Sequence, residues 1–454
     1  MKISIHSDDP NIHRIISNLL IPWNVYFTTF NEAEIIISDI KTNFSNKPTL
    51  IIPSNSLAFN KWMIKNDINV INAKKHKIKV QISLDLSLNV VLNTQKIYSK
   101  KTSIAVLNSA NNIGGNNGDN NYLFPYDLIN EYNYYVNKIL YPKVSNIFNF
   151  IINFPVPYTF VPSKIRSLLY SFKKNDENNE FTDNLKLDAL RYHLKNTIEN
   201  ITGIKMYNKT IKNYQHKCIL THDIETRTGL RNSIKLKKIE ERYDVPSIWY
   251  IPASSYALNA DIIKRLANNG EIGIHGLKHD GRLFRLSDDE MIEGLLKAKT
   301  NMEALSNQVI SGFRAPLLQY TNNVCRNLEK SKYAFDSSIP TWEPKNPLTM
   351  RAHGIETVYP FKLYNMVEIP ISIPQDYQMI KVMNYSVKET IEKWMQINGV
   401  IKKMGGLSTF LVHPDYDFSY DENLGYYEEL VSYLVSDKST YIAKASEVAN
   451  LVNN

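Results

Sequence analysis

Cysteine is scarce in this chain of 454 residues, which has only Cys218 and Cys325. Two cysteines cannot build a disulfide framework or a cysteine-based zinc site, and they indicate a reducing compartment. Long apolar runs that could span a bilayer are also missing, and the N-terminus lacks the basic-then-apolar pattern of a signal peptide. We therefore expect a soluble, cytoplasmic protein without a transmembrane segment, and the sequence leaves its oligomeric state open.

The chain has no concentrated block of basic residues. Its 53 lysines and arginines exceed its 45 acidic residues, for a net charge of +8. Because these basic residues are scattered and do not alternate with aromatic residues, nucleic acid is not the expected partner. Residues 163–174 have the pattern of a basic amphipathic helix. Such a helix can lie on an anionic membrane, but packing against a neighbouring domain is its more common use.

The length predicts more than one domain. Residues 1–150 alternate short strands with helices, which is typical of a small α/β domain. Residues 110–121 are rich in Asn and Gly but lack the lysine and helix start of a phosphate loop, so a surface loop is expected. Residues 151–214 are interpreted as a helical connector with a linker at 174–180 and a helix at 185–202. The predicted strands of the first domain are Lys2–His6, Val25–Phe30, Glu34–Ser38, Thr49–Pro53, Lys79–Leu84 and Ser103–Leu107, with a helix at Asn11–Leu20.

Residues 215–454 repeat a strand–helix unit, which predicts a parallel α/β barrel or a wound sheet. In such barrels the catalytic groups lie at the carboxyl ends of the strands. Ser287 and Glu290 have the spacing of a capping box at the start of one helix. The predicted strands are Cys218–Asp223, Ser247–Ile251, Glu271–His275, Val309–Phe313, Tyr333–Asp336, Met366–Ile371 and Ser408–His413.

Several of these strands end in residues that could form a metal site. Asp223 and Glu225 follow the first strand, and because alternate residues share a face, both can point into one cavity. His275 and His279 are four residues apart beyond another strand, a spacing used to hold one metal ion. One carboxylate could complete the ligand set while the other accepts a proton from a bound water. The residues alone leave open which carboxylate does which.

Two further strand ends carry groups suited to acid–base chemistry. Arg314 lies in a Gly-Phe-Arg-Ala-Pro turn, where it could fix a catalytic carboxylate and keep it ionised, or serve only as a structural ion pair. His413 precedes Pro414 at the end of the last strong strand and is placed to protonate a leaving amine. Tyr377, Trp342 and Asp376 are candidates for lining a substrate groove, and no role is assigned to them.

Taken in chain order, these motifs resemble those of the polysaccharide deacetylases, the NodB-homology group or carbohydrate esterase family 4. The resemblance spans about residues 215–450 and does not include the first 200. It implies a distorted (β/α)7 barrel, preceded here by the smaller α/β domain and the helical connector. It also implies a divalent metal such as zinc, and hydrolysis of N-acetyl, less often O-acetyl, groups on a glycan. The motifs are Thr221–Glu225, His275–His279, Arg314–Pro316, Asp336–Ser338 and Leu411–Pro414.

The resemblance also implies roles for individual residues. His275 and His279 would be metal ligands, His413 the general acid, and Arg314 the residue that orients the catalytic base. Asp336 would belong to the motif that lines the substrate groove.

The first motif departs from the family pattern of two adjacent aspartates. Ile224 occupies the second position and Glu225 follows it. We favour Glu225 as the metal ligand and Asp223 as the base, with Asp223 as the alternative ligand. Gly276 replaces the usual Ser or Thr after the first metal histidine.

Two other functions are compatible with these motifs. Related barrels hydrolyse cyclic amides or imides, some of them without a metal. The altered first motif is also compatible with an inactive glycan-binding module. An acetylated carbohydrate is nevertheless the partner that the resemblance favours.

Overall fold

The computed structural model describes residues 1–39, 47–53, 69–72, 77–83, 85–93, 96–99, 111–112, 121–142, 180–343 and 354–453. The strands within these ranges are β1 (Lys2–His6), β2 (Tyr26–Phe27), β3 (Ile35–Ser38), β4 (Thr49–Ile51), β5 (Asn69–Asn72), β6 (Lys77–Ser83), β7 (Leu86–Val91), β8 (Lys96–Ser99), β9 (Asn111–Asn112), β10 (Asn121–Leu123), β11 (His216–Asp223), β12 (Ile248–Ile251), β13 (Glu271–Ile274), β14 (Gly312–Phe313), β15 (Phe335–Asp336), β16 (Phe361–Leu363), β17 (Met366–Glu368), β18 (Leu407–Leu411) and β19 (Thr440–Ile442). The helices are α1 (Pro10–Leu20), α2 (Leu128–Leu140), α3 (Lys186–Thr202), α4 (Arg227–Arg242), α5 (Ala260–Ala267), α6 (Asp288–Ser306), α7 (Asn322–Lys330), α8 (Val387–Met404), α9 (Leu424–Ser436) and α10 (Ala445–Asn453).

The chain forms two compact units. Met1–Val136 and Leu185–Lys209 make up the first, and Asn137–Asn184 and Thr210–Asn454 the second. Helix α3, predicted at 185–202, therefore groups with the N-terminal residues. The domain boundaries proposed from the sequence stay predictions, because residues 143–179 lie outside the described residues.

The first unit is built on a mainly parallel sheet with strand order β2-β1-β3-β4-β10-β9, in which only the β10–β9 pair is antiparallel. Helix α1 starts where the Asp9 carboxylate accepts a hydrogen bond from the Asn11 N–H, with Pro10 in its first turn. Such a cap satisfies a backbone donor that a helix leaves free. The helix buries the apolar stripe predicted from its spacing, and the α/β class of this region is confirmed.

Some predictions for the first unit were wrong or lie outside the described residues. A surface loop was predicted over residues 110–121. Asn111–Asn112 and Asn121 instead belong to strands β9 and β10. Two antiparallel pairs, β5 with β8 and β6 with β7, were not predicted as hairpin-like sheets. The strand proposed at 103–107, the amphipathic segment at 163–174 and most of the linker at 174–180 lie outside the described residues.

The second unit contains a nine-stranded sheet with the order β16-β17-β15-β14-β13-β12-β11-β18, and β19 also pairs with β11. Each pair is parallel except β16 with β17. Strand β11 is the centre of this arrangement, because it pairs with β12, β18 and β19 and all its residues are buried. Because the strand is buried on both faces, its central residues, Cys218–Leu220, are apolar without alternation.

Beyond β17 the chain returns to β18 and curls the sheet. The Ile373 N–H donates to the Thr409 carbonyl at 3.2 Å, and Ser372 Oγ donates to the Leu407 carbonyl at 2.6 Å. This curled, mixed sheet is the distorted barrel that was expected, with antiparallel β16 and short β19 as unpredicted additions. The capping box at Ser287 and Glu290 is also confirmed.

No helix in the described part of the chain is long and apolar enough to cross a membrane.

Candidate metal centre and acid–base site

The carboxyl ends of β11, β13, β14 and β18 bring the predicted site residues together. Asp223 is the last residue of β11, and His275, Arg314 and His413 each follow the end of a strand by one or two residues. Parallel strands side by side place their carboxyl ends at one edge of the sheet, where side chains from distant parts of the sequence meet. The fold therefore brings these four predicted site residues together at one edge of the sheet.

Glu225, His275 and His279 form a group whose candidate ligand atoms all lie within 4.8 Å of one another. Nε2 of His279 is 3.1 Å from Oε1 of Glu225, but the two atoms lack the alignment of a hydrogen bond. A carboxylate and two imidazoles converging on one point are a common ligand set for a catalytic divalent metal, with a further position open to water.

His275 shows that these residues fit a metal. Its Nδ1 lies 3.0 Å from the Arg314 carbonyl, which fixes the ring, whereas its Nε2 is buried without a hydrogen-bond partner. A buried polar atom left unsatisfied is costly, and a metal-binding histidine with its other nitrogen on a carbonyl is the usual arrangement. Burial also lowers the pKa of His275 to about 4, so that its imidazole stays neutral and able to bind a metal.

Gly276, the departure noted in the sequence, adopts a left-handed conformation with φ of 68°. A Cβ atom there would overlap the ring of Pro316 in the Arg-Ala-Pro turn. The glycine is therefore required by the close approach of two motif loops, and no hydroxyl could occupy this position without moving one of them.

Asp223 is held by the arginine predicted to orient it. Arg314 Nη1 donates to Asp223 Oδ1 at 2.9 Å. Burial alone would raise the pKa of Asp223, but the charge of Arg314 and the nearby His275 and His413 outweigh it and lower that pKa. The second oxygen, Oδ2, faces the imidazoles of His275 and His413 at 3.8 and 3.9 Å. Asp223 is thus an ionised carboxylate with one oxygen anchored and the other turned toward the site.

Arg314 is itself fully buried, and each of its three guanidinium nitrogens donates a hydrogen bond. Its Nε donates to the Ser337 carbonyl at 2.6 Å, its Nη2 to Ser337 Oγ at 2.8 Å, and its Nη1 also to Thr221 Oγ1 at 2.8 Å. The guanidinium stacks over the Tyr250 ring at 4.3 Å. A planar fork held at several points can hold a carboxylate in one rotamer, which a lysine could not do.

His413 is paired with an aspartate to which the sequence assigned no role. Asp376 Oδ1 accepts from His413 Nδ1 at 2.6 Å, and its Oδ2 accepts the His413 backbone N–H at 2.7 Å. Burial alone would lower the pKa of His413, but Asp376, Glu225 and Asp223 raise it to about 10. Nε2 of His413 lies 3.8 Å from Glu225 Oε1 and 3.9 Å from Asp223 Oδ2. A protonated imidazole therefore faces the two carboxylates.

Asp336, which the resemblance assigns to the groove-lining motif, is linked through Ser338 to the turn that follows β14. It is fully buried, and its carboxylate accepts hydrogen bonds from the Ser338 N–H and Oγ at 3.1 and 2.7 Å. Ser338 Oγ in turn accepts from the Ala315 N–H at 2.8 Å. Asp336 supports the turn that carries Arg314 and has no access to solvent, so its role in binding substrate stays a prediction without a contact to support it.

His222, next to Asp223 in sequence, points away from the site. Its ring stacks on Trp249, and its Nε2 lies 2.8 Å from Glu240 Oε1. Its Nδ1 contacts the Val412 carbonyl at 3.0 Å. It belongs to a buried network behind β11, as the alternation of side chains along a strand requires.

One part of the chain matches a known family model. Residues 212–335 match the family model described as polysaccharide deacetylase. No curated protein matches the chain.

Several solved structures resemble about half of the chain. A candidate polysaccharide deacetylase from Mycobacterium smegmatis is 16% identical, with 54% of this chain and 92% of that chain covered and a TM-score of 0.45. PuuE allantoinase is 12% identical, with coverages of 52% and 90% and a TM-score of 0.43. A pseudoenzyme of the same esterase family from Bacillus anthracis is 16% identical, with coverages of 52% and 66% and a TM-score of 0.36. At such identities and TM-scores these likenesses carry no argument about activity.

Proposed function

We propose that this chain, whose residues 212–335 match the polysaccharide deacetylase family model, is a metal-dependent hydrolase removing N-acetyl groups from a glycan or glycan precursor. The observation that supports this best is the convergence of two groups of side chains. Glu225, His275 and His279 gather around one point, and Asp223 and His413 face it with opposite protonation.

Glu225, His275 and His279 would hold the metal, and zinc suits one carboxylate with two imidazoles. A divalent ion there would lower the pKa of a water and polarise the acetamide carbonyl. Asp223 is left as the base, since Arg314 occupies its Oδ1 and its Oδ2 is free to accept a proton from the attacking water. These contacts support Glu225, rather than Asp223, as the metal ligand in the proposed mechanism.

His413 supplies the proton that the departing amine needs. Water adds to the acetyl carbon, the C–N bond breaks, and acetate and a free amine are the products. An amine is a poor leaving group unless it is protonated, and general acid catalysis of such a step contributes roughly 10²–10⁴-fold. With Asp376 on Nδ1, the proton to be donated is the one on Nε2, which faces the site.

The proposal is tested by metal analysis of the purified protein combined with assays on N-acetylglucosamine oligomers and on small cyclic amides. We expect about one divalent ion per chain, release of acetate from the oligomers, and loss of turnover with an intact fold in Asp223→Asn. A metal-free protein active on a cyclic amide would show a different hydrolase on the same barrel. A protein that binds glycans but whose behaviour is unchanged by Asp223→Asn would be a binding module.

A further inference from the structure

We propose that Asp415 and Tyr416 form a positioning clamp for Glu225, one holding its backbone and the other its carboxylate. The inference rests on the proposed metal site and extends it to two residues outside the family motifs quoted above. Both residues lie directly after His413 and Pro414, so the loop that carries the general acid also holds the proposed ligand.

Tyr416 holds the carboxylate end. Its phenolic O–H donates to Glu225 Oε2. The other oxygen, Oε1, is thereby left toward His279 Nε2 at 3.1 Å and His413 Nε2 at 3.8 Å. One oxygen of Glu225 is thus committed to a hydrogen bond, and the other is directed at the metal centre.

Asp415 holds the backbone end. Its Oδ2 accepts the Glu225 N–H at 2.9 Å, and its Oδ1 accepts the Thr226 N–H at 3.0 Å together with the Thr226 hydroxyl. Tyr256 adds a third point, since its O–H donates to the Ile224 carbonyl at 2.8 Å. Residues 224–226 are therefore fixed by side chains from two other loops.

Gly229 makes room for this contact. It lies in the first turn of α4, and a Cβ atom on it would overlap the Asp415 carboxylate. Because its neighbour is a side chain with three hydrogen bonds, that carboxylate could not move aside without releasing the turn. A glycine inside a helix normally costs roughly 1 kcal/mol relative to alanine, which makes its presence here informative.

The clamp compensates for a consequence of the altered first motif, which is that the proposed ligand lies beyond the end of its strand. Strand β11 ends at Asp223, so Glu225 lies two residues beyond the end of the strand. A glutamate side chain also has more rotatable bonds than an aspartate, and ordering it costs conformational entropy. Partners that orient a metal ligand typically change metal affinity by about 10–100-fold. A ligand that has moved off the strand therefore gains more from such partners than one within it.

The first test measures Zn²⁺ affinity of the metal-stripped full chain by competition with a chromophoric chelator. Tyr416→Phe removes only the hydroxyl, and we expect Zn²⁺ binding to weaken by about 10–100-fold. Tyr420→Phe changes a tyrosine of the same loop that is 43% exposed, and its affinity should equal that of the wild type. Thermal unfolding of the metal-free proteins is recorded in parallel, since a merely structural role would lower stability without changing affinity.

The second test addresses the backbone contact without altering any hydrogen-bonding group. Gly229→Ala should weaken Zn²⁺ binding, although alanine favours the helix. Gly399→Ala is the matched control, because a Cβ atom there meets nothing within 4 Å in the middle of α8. It should leave Zn²⁺ affinity unchanged.

The outcomes separate this inference from the proposed function. If the wild type binds Zn²⁺ and both Tyr416→Phe and Gly229→Ala bind it equally well, the clamp is refuted while the metal site stands. If only one of the two variants loses affinity, only that half of the clamp is supported and the other half is refuted. If the wild type itself binds no divalent metal, the proposed function fails and the clamp fails with it.

Discussion

At the scale of single residues, the site is an arrangement of charges that fix one another. Arg314 keeps Asp223 ionised, and Asp376 keeps His413 protonated. In both pairs the buried charge has an opposite charge at hydrogen-bond distance, which is how proteins tolerate buried ions. The proposed acid, His413, and the proposed base, Asp223, thereby have opposite protonation states, with His413 Nε2 3.9 Å from Asp223 Oδ2.

The loss of rate caused by replacing Asp376 should be larger for leaving groups that need protonation. Because Asp376 stabilises the protonated form of His413, we expect Asp376→Asn to slow release of acetate from an N-acetylated glycan by on the order of 10²-fold. An aryl acetate has a leaving group that needs no protonation, so its hydrolysis should slow much less. Turnover of both substrates by the same preparation is the measurement.

Asp421→Asn is the matched control for that substitution. Asp421 forms an exposed ion pair with Lys235, and such surface pairs contribute little. Its removal should leave both rates unchanged. An equal loss on the amide and the aryl ester in Asp376→Asn would rule out leaving-group protonation as the role of this aspartate.

At the scale of elements, β11 organises the second unit and has polar residues at both ends of a short apolar run. His216, at its start, contacts Thr440 Oγ1 at 2.7 Å through Nδ1 and Ser408 Oγ at 3.2 Å through Nε2. It thereby joins β11 to both β18 and β19. Burial, with a smaller contribution from Lys402, lowers the pKa of His216 to about 4.

The stability of the second unit should therefore fall as the pH is lowered from neutral. An unfolded histidine has a pKa of about 6.5 and takes up a proton before the folded one, so His216 should remove about 2 kcal/mol between pH 7 and pH 5. Denaturant unfolding of wild type and His216→Gln at the two pH values measures this. The variant, whose amide can keep a hydrogen bond but cannot titrate, should lose less stability. Equal losses would show that His216 is not responsible.

At the scale of the whole molecule, metal binding should increase the stability of the folded protein. A ligand that binds only the folded state stabilises it by about 2.7 kcal/mol at 100 times its Kd. We expect Zn²⁺ to raise the Tm of the chelator-treated chain, and His279→Ala to abolish that shift. His13→Asn, in the first unit, should retain it. A Tm that Zn²⁺ leaves unchanged in the wild type would argue against the metal centre.

The sequence by itself determined most of the second unit and the composition of its site. The apolar runs located the strands to within a few residues, because a buried strand must be apolar. The strand ends located Asp223, His275, Arg314 and His413, because parallel strands present their carboxyl ends together. Those signals are local, and local patterns can be read without knowing how the chain curls.

Only the tertiary structure decided which side chains meet across long separations. Asp376 and His413 are 37 residues apart, and Asp415 contacts Glu225 across 190 residues. Asp336 lies in a recognisable motif, but its carboxylate is buried against the turn that carries Arg314. Strand β16 joins the sheet in antiparallel pairing, which the sequence pattern did not predict. Such pairings depend on the curl of the sheet and on the loops that follow its strands. Neither is encoded in the spacing of residues within any one segment.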